Sequence, residues 1–334
     1  MLWKMRTETL KKEQFRPEYF RGFGSKSMQQ LEEFVNRVSP TDEAVLITGE
    51  SGTGKTELAK LIHSRSHRAT GPFVAVSCMN PSDSFLESEL FGHVAGAFTG
   101  TLGNKAGKLE LAHNGTLFLY EIGELSSSAQ TSLLRFLQEK VIKRVGRDEE
   151  ISTDTRIIAS TSHDLKEAAA NKRFLEALYY RLNILECYLA PLRYRREDIP
   201  ALVPRLIKEA ASHLQKTVPP VIPDKVMQKL IEYNWPGNIR ELRNTLERIV
   251  ILTSGSEVQE AALPPALLSI KQVDTIQNTQ KEKLKTLAEM EKEHIASVLA
   301  SEENFEKAAE ILGISSVTLW RKRKMYGLPE NQAK

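Results

Sequence analysis

Cysteine is scarce in this chain. There are two in 334 residues, Cys78 and Cys187, far apart, with no CxxC pair and no histidine at ligand spacing. That excludes a disulfide framework and a cysteine-based zinc site, and leaves two buried reduced thiols as the reading. Also missing is any apolar stretch near the ~20 residues that span a bilayer. The opening MLWKMRTETLKKEQF is charged throughout and lacks the apolar core of a secretory signal. No membrane attachment is expected, and the protein reads as soluble and cytoplasmic. Neither charge sign dominates: 46 Lys and Arg against 43 Asp and Glu leave +3, too little to argue nucleic-acid binding from the total. No internal repeat is visible, and the seven histidines, none paired at metal spacing, read as surface or packing residues. With 41% hydrophobic and 27% charged residues the composition is globular. The length allows about two or three domains.

The first 20 residues are polar and read as a tail or a loose helix. AVLIT (44–48) is a short apolar run of β type, followed at once by GESGTGKT and then by Leu58, Leu61, Ile62 and Arg65 at helical spacing. Further buried-strand candidates are FVAVS (73–77), TLFLY (116–120), RIIAS (156–160) and ILECYL (184–189), with helical stretches such as SAQTSLLRFLQEK between them. Strands alternating with helices predict an α/β fold with a parallel, doubly wound sheet.

After Pro191 the strands stop. Residues 197–265 read as helices punctuated by Pro219-Pro220 and Trp235-Pro236-Gly237, a smaller helical lid, and 267–280 read as a polar linker. One amphipathic helix is expected over 283–300. Phe305, Ala308, Ala309 and Leu312 then mark a second helix, Gly313 breaks it, and Ser315 or Ser316 can cap a third. That third helix carries Arg321-Lys322-Arg323-Lys324, a helix-turn-helix pattern pointing to double-stranded DNA through Ser316, Thr318, Arg321, Lys322 and Lys324. The plainer alternative is a helical hairpin with a solvated cationic face. The expected divisions are 1–20 tail, 21–190 α/β unit, 191–265 lid, 266–281 linker and 282–334 all-α DNA-binding domain.

GESGTGKT fits the phosphate-loop pattern G-x-x-x-x-G-K-[ST] between a strand and a helix. Its residues, Gly49, Glu50, Ser51, Gly52, Thr53, Gly54, Lys55 and Thr56, are the candidate ATP site. The glycines let backbone N–H groups converge on phosphate oxygens, and the helix N-terminus adds its dipole. Lys55 reaches the β- and γ-phosphates, and Thr56 offers its hydroxyl to magnesium. Glu121, directly after TLFLY, is placed to orient an attacking water and to contribute to the magnesium site. Between them lies ESELFGHVAGAFTG. Its end, Gly96-Ala97-Phe98-Thr99-Gly100, is either an exposed aromatic loop tip suited to reversible contact with a partner or a tight turn with a buried Phe.

GESGTGK, ESELFGH, GAFTG, GTLFL-x-E, LYYRLN, PLR and WPGNIRELRN occur in that order. Together they closely resemble the sigma-54-dependent transcriptional activators, or bacterial enhancer-binding proteins, a branch of the AAA+ ATPases. The resemblance covers about residues 22–265, and the C-terminal segment looks like the Fis-type helix-turn-helix of the same family. It implies an AAA+ P-loop domain with parallel sheet and helical lid, followed by an all-α DNA-binding domain. It further implies a ring homo-oligomer of hexameric type that hydrolyses ATP with magnesium and remodels sigma-54 RNA polymerase. Carried over by position, Glu121 is the Walker B glutamate and Gly96–Gly100 is the loop that touches sigma-54, through Phe98 and Thr99. Arg181 is a finger reaching the neighbouring subunit's site, and Arg240 is the sensor II arginine.

Four positions depart from the family pattern. Tyr120 stands where an Asp usually precedes the Walker B glutamate, Leu175 replaces one of two arginine fingers, with Arg173 two residues away, and Ser162 replaces a sensor Asn. The fourth, Thr56 in place of a common Glu, restores the generic phosphate-loop form. Losing a charged hydrogen bond at Tyr120 costs roughly 1.5–3 kcal/mol, and an arginine finger is worth about 10³–10⁵ in rate. Two expectations follow: an ATP-driven activator of sigma-54 polymerase, or an ATP- and DNA-binding regulator with little hydrolysis of its own, acting in a mixed complex or as a repressor. With about 20 residues before the core, control is expected from a regulatory protein in trans or from expression level.

Overall fold

The computed structural model describes residues 23–79, 83–97, 103–216, 218–253, 255–268, 287–302 and 304–328. The chain divides into two compact units, Met1–Lys271 and Gln272–Lys334.

The first unit opens with helix α1 (Lys26–Val38), strand β1 (Val45–Thr48) and helix α2 (Lys55–Ser64). Then come β2 (Phe73–Ser77), α3 (Asp83–Phe91), the two-residue strands β3 (Gly92–His93) and β4 (Lys105–Ala106), and the short α4 (Lys108–Leu111). β5 (Thr116–Tyr120), α5 (Ser127–Glu139), β6 (Val141–Lys143), β7 (Glu150–Ser152) and β8 (Arg156–Thr161) follow. The layer ends with α6 (Leu165–Ala170), α7 (Glu176–Leu182) and β9 (Leu185–Tyr188).

Five strands form one sheet in the order β2-β5-β8-β1-β9, every neighbouring pair parallel. Helices cover both faces, so the inner strands are apolar on both sides and read as continuous runs instead of alternating ones. Val45, Leu46 and Ile47 of β1 and Leu117, Phe118 and Leu119 of β5 are all buried, each worth about 1.5–3 kcal/mol relative to exposure. The five predicted strands all form. The ladders β3–β4 and β6–β7 are antiparallel and were not predicted; they are two or three residues long and carry His, Lys and Glu. Cys78 and Cys187 are buried and not bonded to each other, and burial pushes both thiols up to about 12.

The lid packs α8 (Ile199–His213), α9 (Asp224–Glu232) and α10 (Asn238–Leu252), with one further turn, α11 (Pro265–Leu268). Its core centres on Trp235, which is fully buried and donates from Nε1 to the Leu230 carbonyl at 2.7 Å. The expected N-terminal tail (1–20) and residues 269–281 of the expected linker (266–281) lie outside the described residues, while 266–268 belong to α11.

The second unit holds three helices, α12 (Leu287–Ser301), α13 (Phe305–Ile311) and α14 (Ser316–Tyr326). They meet over Ile295, Val298, Ala308, Ala309 and Leu319. Asn304 caps α13, its side-chain oxygen accepting from the Glu306 and Lys307 amides at 2.9 and 3.2 Å. Of the two serines that could cap α14, Ser315 does so, accepting from the Thr318 amide at 3.2 Å. The turn between these helices holds Gly313 at φ +66°, a left-handed conformation that a side chain would strain.

Candidate functional site

The loop from Gly49 to Gly54 joins the end of β1 to the start of α2. Lys55 is almost wholly enclosed, donating to the Gly49 carbonyl at 2.7 Å and the Glu50 carbonyl at 3.2 Å. Its ammonium also lies 3.3 Å from Glu121 Oε1, with both side chains at most 4% exposed. The other oxygen, Oε2, accepts from the Ser162 amide at 2.7 Å and the Ser162 hydroxyl at 2.8 Å. β1, β5 and β8, three adjacent strands, thus deliver Lys55, Glu121 and Ser162 to one point at their C-terminal ends. Glu121 holds φ +55° to do so, a costly conformation for a non-glycine residue that clusters at functional sites.

A cavity of about 180 Å³ adjoins this cluster, lined by Lys55, Thr56 and Tyr120, by the apolar Phe23 and Ile239, and by Arg195, Arg240 and Arg243 among others. Arg195 is buried, donating to the Thr53 carbonyl at 2.8 Å. Burial lowers its pKa to about 10, which leaves it cationic at neutral pH.

The lid grips the phosphate loop directly. Asn238 donates to Glu50 Oε2 at 3.2 Å and to the Ser51 carbonyl at 3.0 Å, and accepts from the Leu192 amide at 2.8 Å. Arg240 Nη1 donates to Ser51 Oγ at 2.9 Å, so the predicted sensor residue stands at the loop. Amides of α10 point at the Gly52 carbonyl, Ile239 at 2.9 Å and Arg240 at 3.3 Å. Gly52 sits at φ +80°, and a Cβ there would lie 2.4 Å from the Gly237 carbonyl oxygen. Arg193 grips Glu50 with two hydrogen bonds, 2.5 and 2.8 Å, which hold the Glu50 carboxyl below its usual range against the opposing effect of burial.

Arg181 stands apart from this site. It lines a cavity of about 300 Å³ with Asp42, Glu43 and Lys140, beside the residues that enter β1, at the end of the strand opposite the phosphate loop. It therefore does not approach Lys55 of its own chain. Leu175 is half-buried against the sheet's core, with its amide donating to Gln130 Oε1 at 2.7 Å, whereas Arg173 is exposed.

On α14 the basic run divides. Arg321 and Lys324 are exposed. Lys322 instead pairs with Glu291 at 2.7 Å, while Tyr326 donates to the same carboxylate at 2.6 Å. The Arg323 guanidinium lies over the Phe305 ring at 5.4 Å. Trp320 is 48% exposed, with the Lys324 ammonium 4.8 Å over its ring. Ser316 and Thr318 are half-buried in the first turn. Of the five residues expected to face DNA, Lys322 is thus engaged inside the domain.

Three families match successive parts of the chain: the sigma-54 interaction domain at residues 23–188, an AAA+ ATPase lid domain at 193–280, and the Fis family of bacterial regulatory proteins at 286–326. The transcriptional regulatory protein ZraR of Klebsiella oxytoca is 42% identical over 299 residues, 89% of this chain and 67% of that protein. The alginate biosynthesis regulator AlgB of Pseudomonas syringae pv. tomato is 40% identical over 325 residues, 97% of this chain and 71% of that protein. The crystal structure of NtrX from Brucella abortus with ADP superposes with a TM-score of 0.69 at 33% identity, covering 97% of this chain and 73% of that one.

The chain belongs to the sigma-54-dependent transcriptional regulators.

As a sigma-54-dependent regulator it combines an AAA+ ATPase domain with a DNA-binding helix-turn-helix. The segment carrying GAFTG runs between β3 and β4, a two-stranded ladder separate from the main sheet, whose pairing Gly92↔Ala106 and His93↔Lys105 joins its two ends. The Val94 amide donates to the Val145 carbonyl at 3.1 Å, and the Val145 amide to the Gly92 carbonyl at 2.9 Å. Gly96 and Ala97 lie on this base; Phe98, Thr99 and Gly100 lie outside the described residues. Sequence reasoning assigned no role to Phe23, Arg193, Arg195, Asn238, Ile239 or Arg243. Arg193 stands inside PLR, and Asn238, Ile239 and Arg243 stand inside WPGNIRELRN, so the motif strings held the signal without the partners.

Proposed function

We propose that this sigma-54-dependent regulator binds ATP at Gly49–Thr56 and couples it, in a ring of identical subunits, to remodelling of sigma-54 RNA polymerase through the loop at 96–100. DNA held by α14 fixes the ring near its promoter. The observation that carries the nucleotide reading is the Lys55–Glu121–Ser162 cluster at the ends of three adjacent strands. A relative, NtrX, holds ADP.

Phosphates entering beside Lys55 compete with Glu121 for its ammonium. Glu121, released from that pair, is then free to accept a proton-side hydrogen bond from the attacking water and orient it. Arg240 lies within reach of the same phosphates from the lid, and Arg181 serves the neighbouring subunit, since it faces away from its own loop. Charge stabilisation by such arginines, not covalent chemistry, is what phosphoryl transfer asks of the protein.

The family implies magnesium, with Thr56 and Glu121 as its candidate holders. The residues present do not fit it well: Glu121 Oε2 is taken up by the Ser162 amide and hydroxyl, and Tyr120 offers a phenol where a carboxylate is needed. The same residues, with Leu175, favour a second reading, a nucleotide- and DNA-binding regulator of low turnover that works beside an active partner.

Phosphate release by the purified chain, titrated over concentration against Lys55→Ala, separates the two. Specific activity that rises with concentration above the Lys55→Ala background supports the self-sufficient ring. Binding of ATP with release no faster than that background supports the second reading.

A further inference from the structure

The cavity beside the phosphate loop is lined by four cationic side chains, Lys55, Arg195, Arg240 and Arg243, and by one carboxylate, Glu57. That carboxylate is paired with Lys60 at 3.1 Å, while Lys55 lies 3.3 Å from Glu121 and Arg243 3.8 Å from Glu209, pairs that incoming phosphates would compete with. Tyr120 closes β5 opposite Ser77 and Ser160 of the flanking strands and lines the same cavity, its ring centre 6.0 Å from the Lys55 ammonium. Among the described residues no three His, Cys, Asp or Glu gather into a possible metal site.

Magnesium in a phosphate-loop site is gripped by a hydroxyl, by phosphate oxygens and by a carboxylate that holds its water. Here Thr56 supplies the hydroxyl. The carboxylate position carries a phenolic hydroxyl, which can donate as well as accept a hydrogen bond. An uncomplexed nucleotide carries more negative charge than its magnesium complex, and a cavity walled by protein cations favours the more anionic form.

We infer that this site takes the nucleoside di- or triphosphate as the free anion, its phosphates neutralised by side-chain cations and hydrogen-bonded by Tyr120 Oη, without a required divalent metal. The inference rests on the nucleotide reading given above.

The test is calorimetric titration of the full chain with ADP, which removes hydrolysis from the measurement, in magnesium buffer and in EDTA. For the native chain the Kd is expected to differ by less than about threefold between the two. In Tyr120→Asp, where the carboxylate is restored, EDTA is expected to weaken binding by about tenfold or more. Tyr120→Phe keeps the ring's packing and removes the hydroxyl. It is expected to weaken binding to a similar extent in both buffers. Native binding that falls by about tenfold in EDTA overturns the inference and leaves the nucleotide reading standing. Absence of binding in either buffer overturns both. If Tyr120→Asp fails to fold, the native titration and Tyr120→Phe still decide.

Discussion

Glu50 and Arg193 meet in a two-point ion pair, 2.5 and 2.8 Å, that ties the phosphate loop to the segment entering the lid. Its partners are 143 residues apart in sequence. Arg193→Ala removes this tie while leaving Lys55 and Thr56 in place. Nucleotide affinity is expected to drop several-fold with little change in overall fold, as read by calorimetry alongside circular dichroism. The pair also predicts a pH dependence. Arg193 depresses the Glu50 carboxyl in the folded chain, so the stability it contributes is full above the unfolded carboxylate pKa, about 4.3. That contribution is lost as pH falls through the lower folded value. Acid titration of the melting temperature, native against Glu50→Gln, is expected to show the native chain losing more below that range.

Arg181 lies at the far end of β1 from its own phosphate loop, so its variant tests whether sites are shared between subunits. Arg181→Ala and Lys55→Ala are each expected to release no phosphate alone. Mixed together they are expected to regain a fraction of native turnover, because one supplies the loop and the other the arginine. A mixture as inactive as its components would place Arg181 outside the site.

Tyr120→Asp is expected to raise magnesium-dependent phosphate release several-fold. An unchanged rate would locate any shortfall in turnover elsewhere, with Leu175 the next position to restore, as Leu175→Arg.

On α14 the charges do different work. Replacing Arg321 and Lys324, both exposed, by Ala is expected to weaken DNA binding across sequences and to flatten its salt dependence by about two in slope. Lys322→Ala, which breaks the pair with Glu291, is expected to lower the domain's melting temperature and to change the salt slope less. Fluorescence anisotropy over a salt series measures both.

Trp235 fills the lid core and is fully buried. Trp235→Ala leaves a cavity and an unmet Leu230 carbonyl, at a cost of about 3–5 kcal/mol. Urea denaturation is expected to show the lid transition moving to lower urea, with nucleotide affinity falling in parallel.

The sheet was legible because its strands are runs of β-branched and large apolar residues, and Glu121 because it follows one of them directly. The third helix of the C-terminal unit was legible from Gly313 and the serines after it. What spacing could not show is pairing across distance. Asn238 finds Glu50 over 188 residues, and Ser162 finds Glu121 because β5 and β8 are neighbours, which nothing local to either strand declares. Lys322 and Lys324 look alike in the sequence; only the packed helix shows that one faces Glu291 and the other the solvent side of Trp320. The short ladders β3–β4 and β6–β7 escaped for a different reason, since two or three residues with charged side chains carry no periodicity to read.

Gly52 touches the lid backbone to backbone: its carbonyl takes two amides of α10, and there is no room for a Cβ against Gly237. Such a contact behaves as a fulcrum. A shift of the phosphate loop of a few tenths of an ångström cannot be absorbed by side-chain rotation there, because no side chain intervenes. The helix of 15 residues that pivots on it is about 22 Å long, so a small tilt at its root becomes a larger displacement at its far end. On the function proposed here, filling of the nucleotide cavity is expected to be passed to the lid through this contact, with the stiffness of the transmission set by a single missing methyl group.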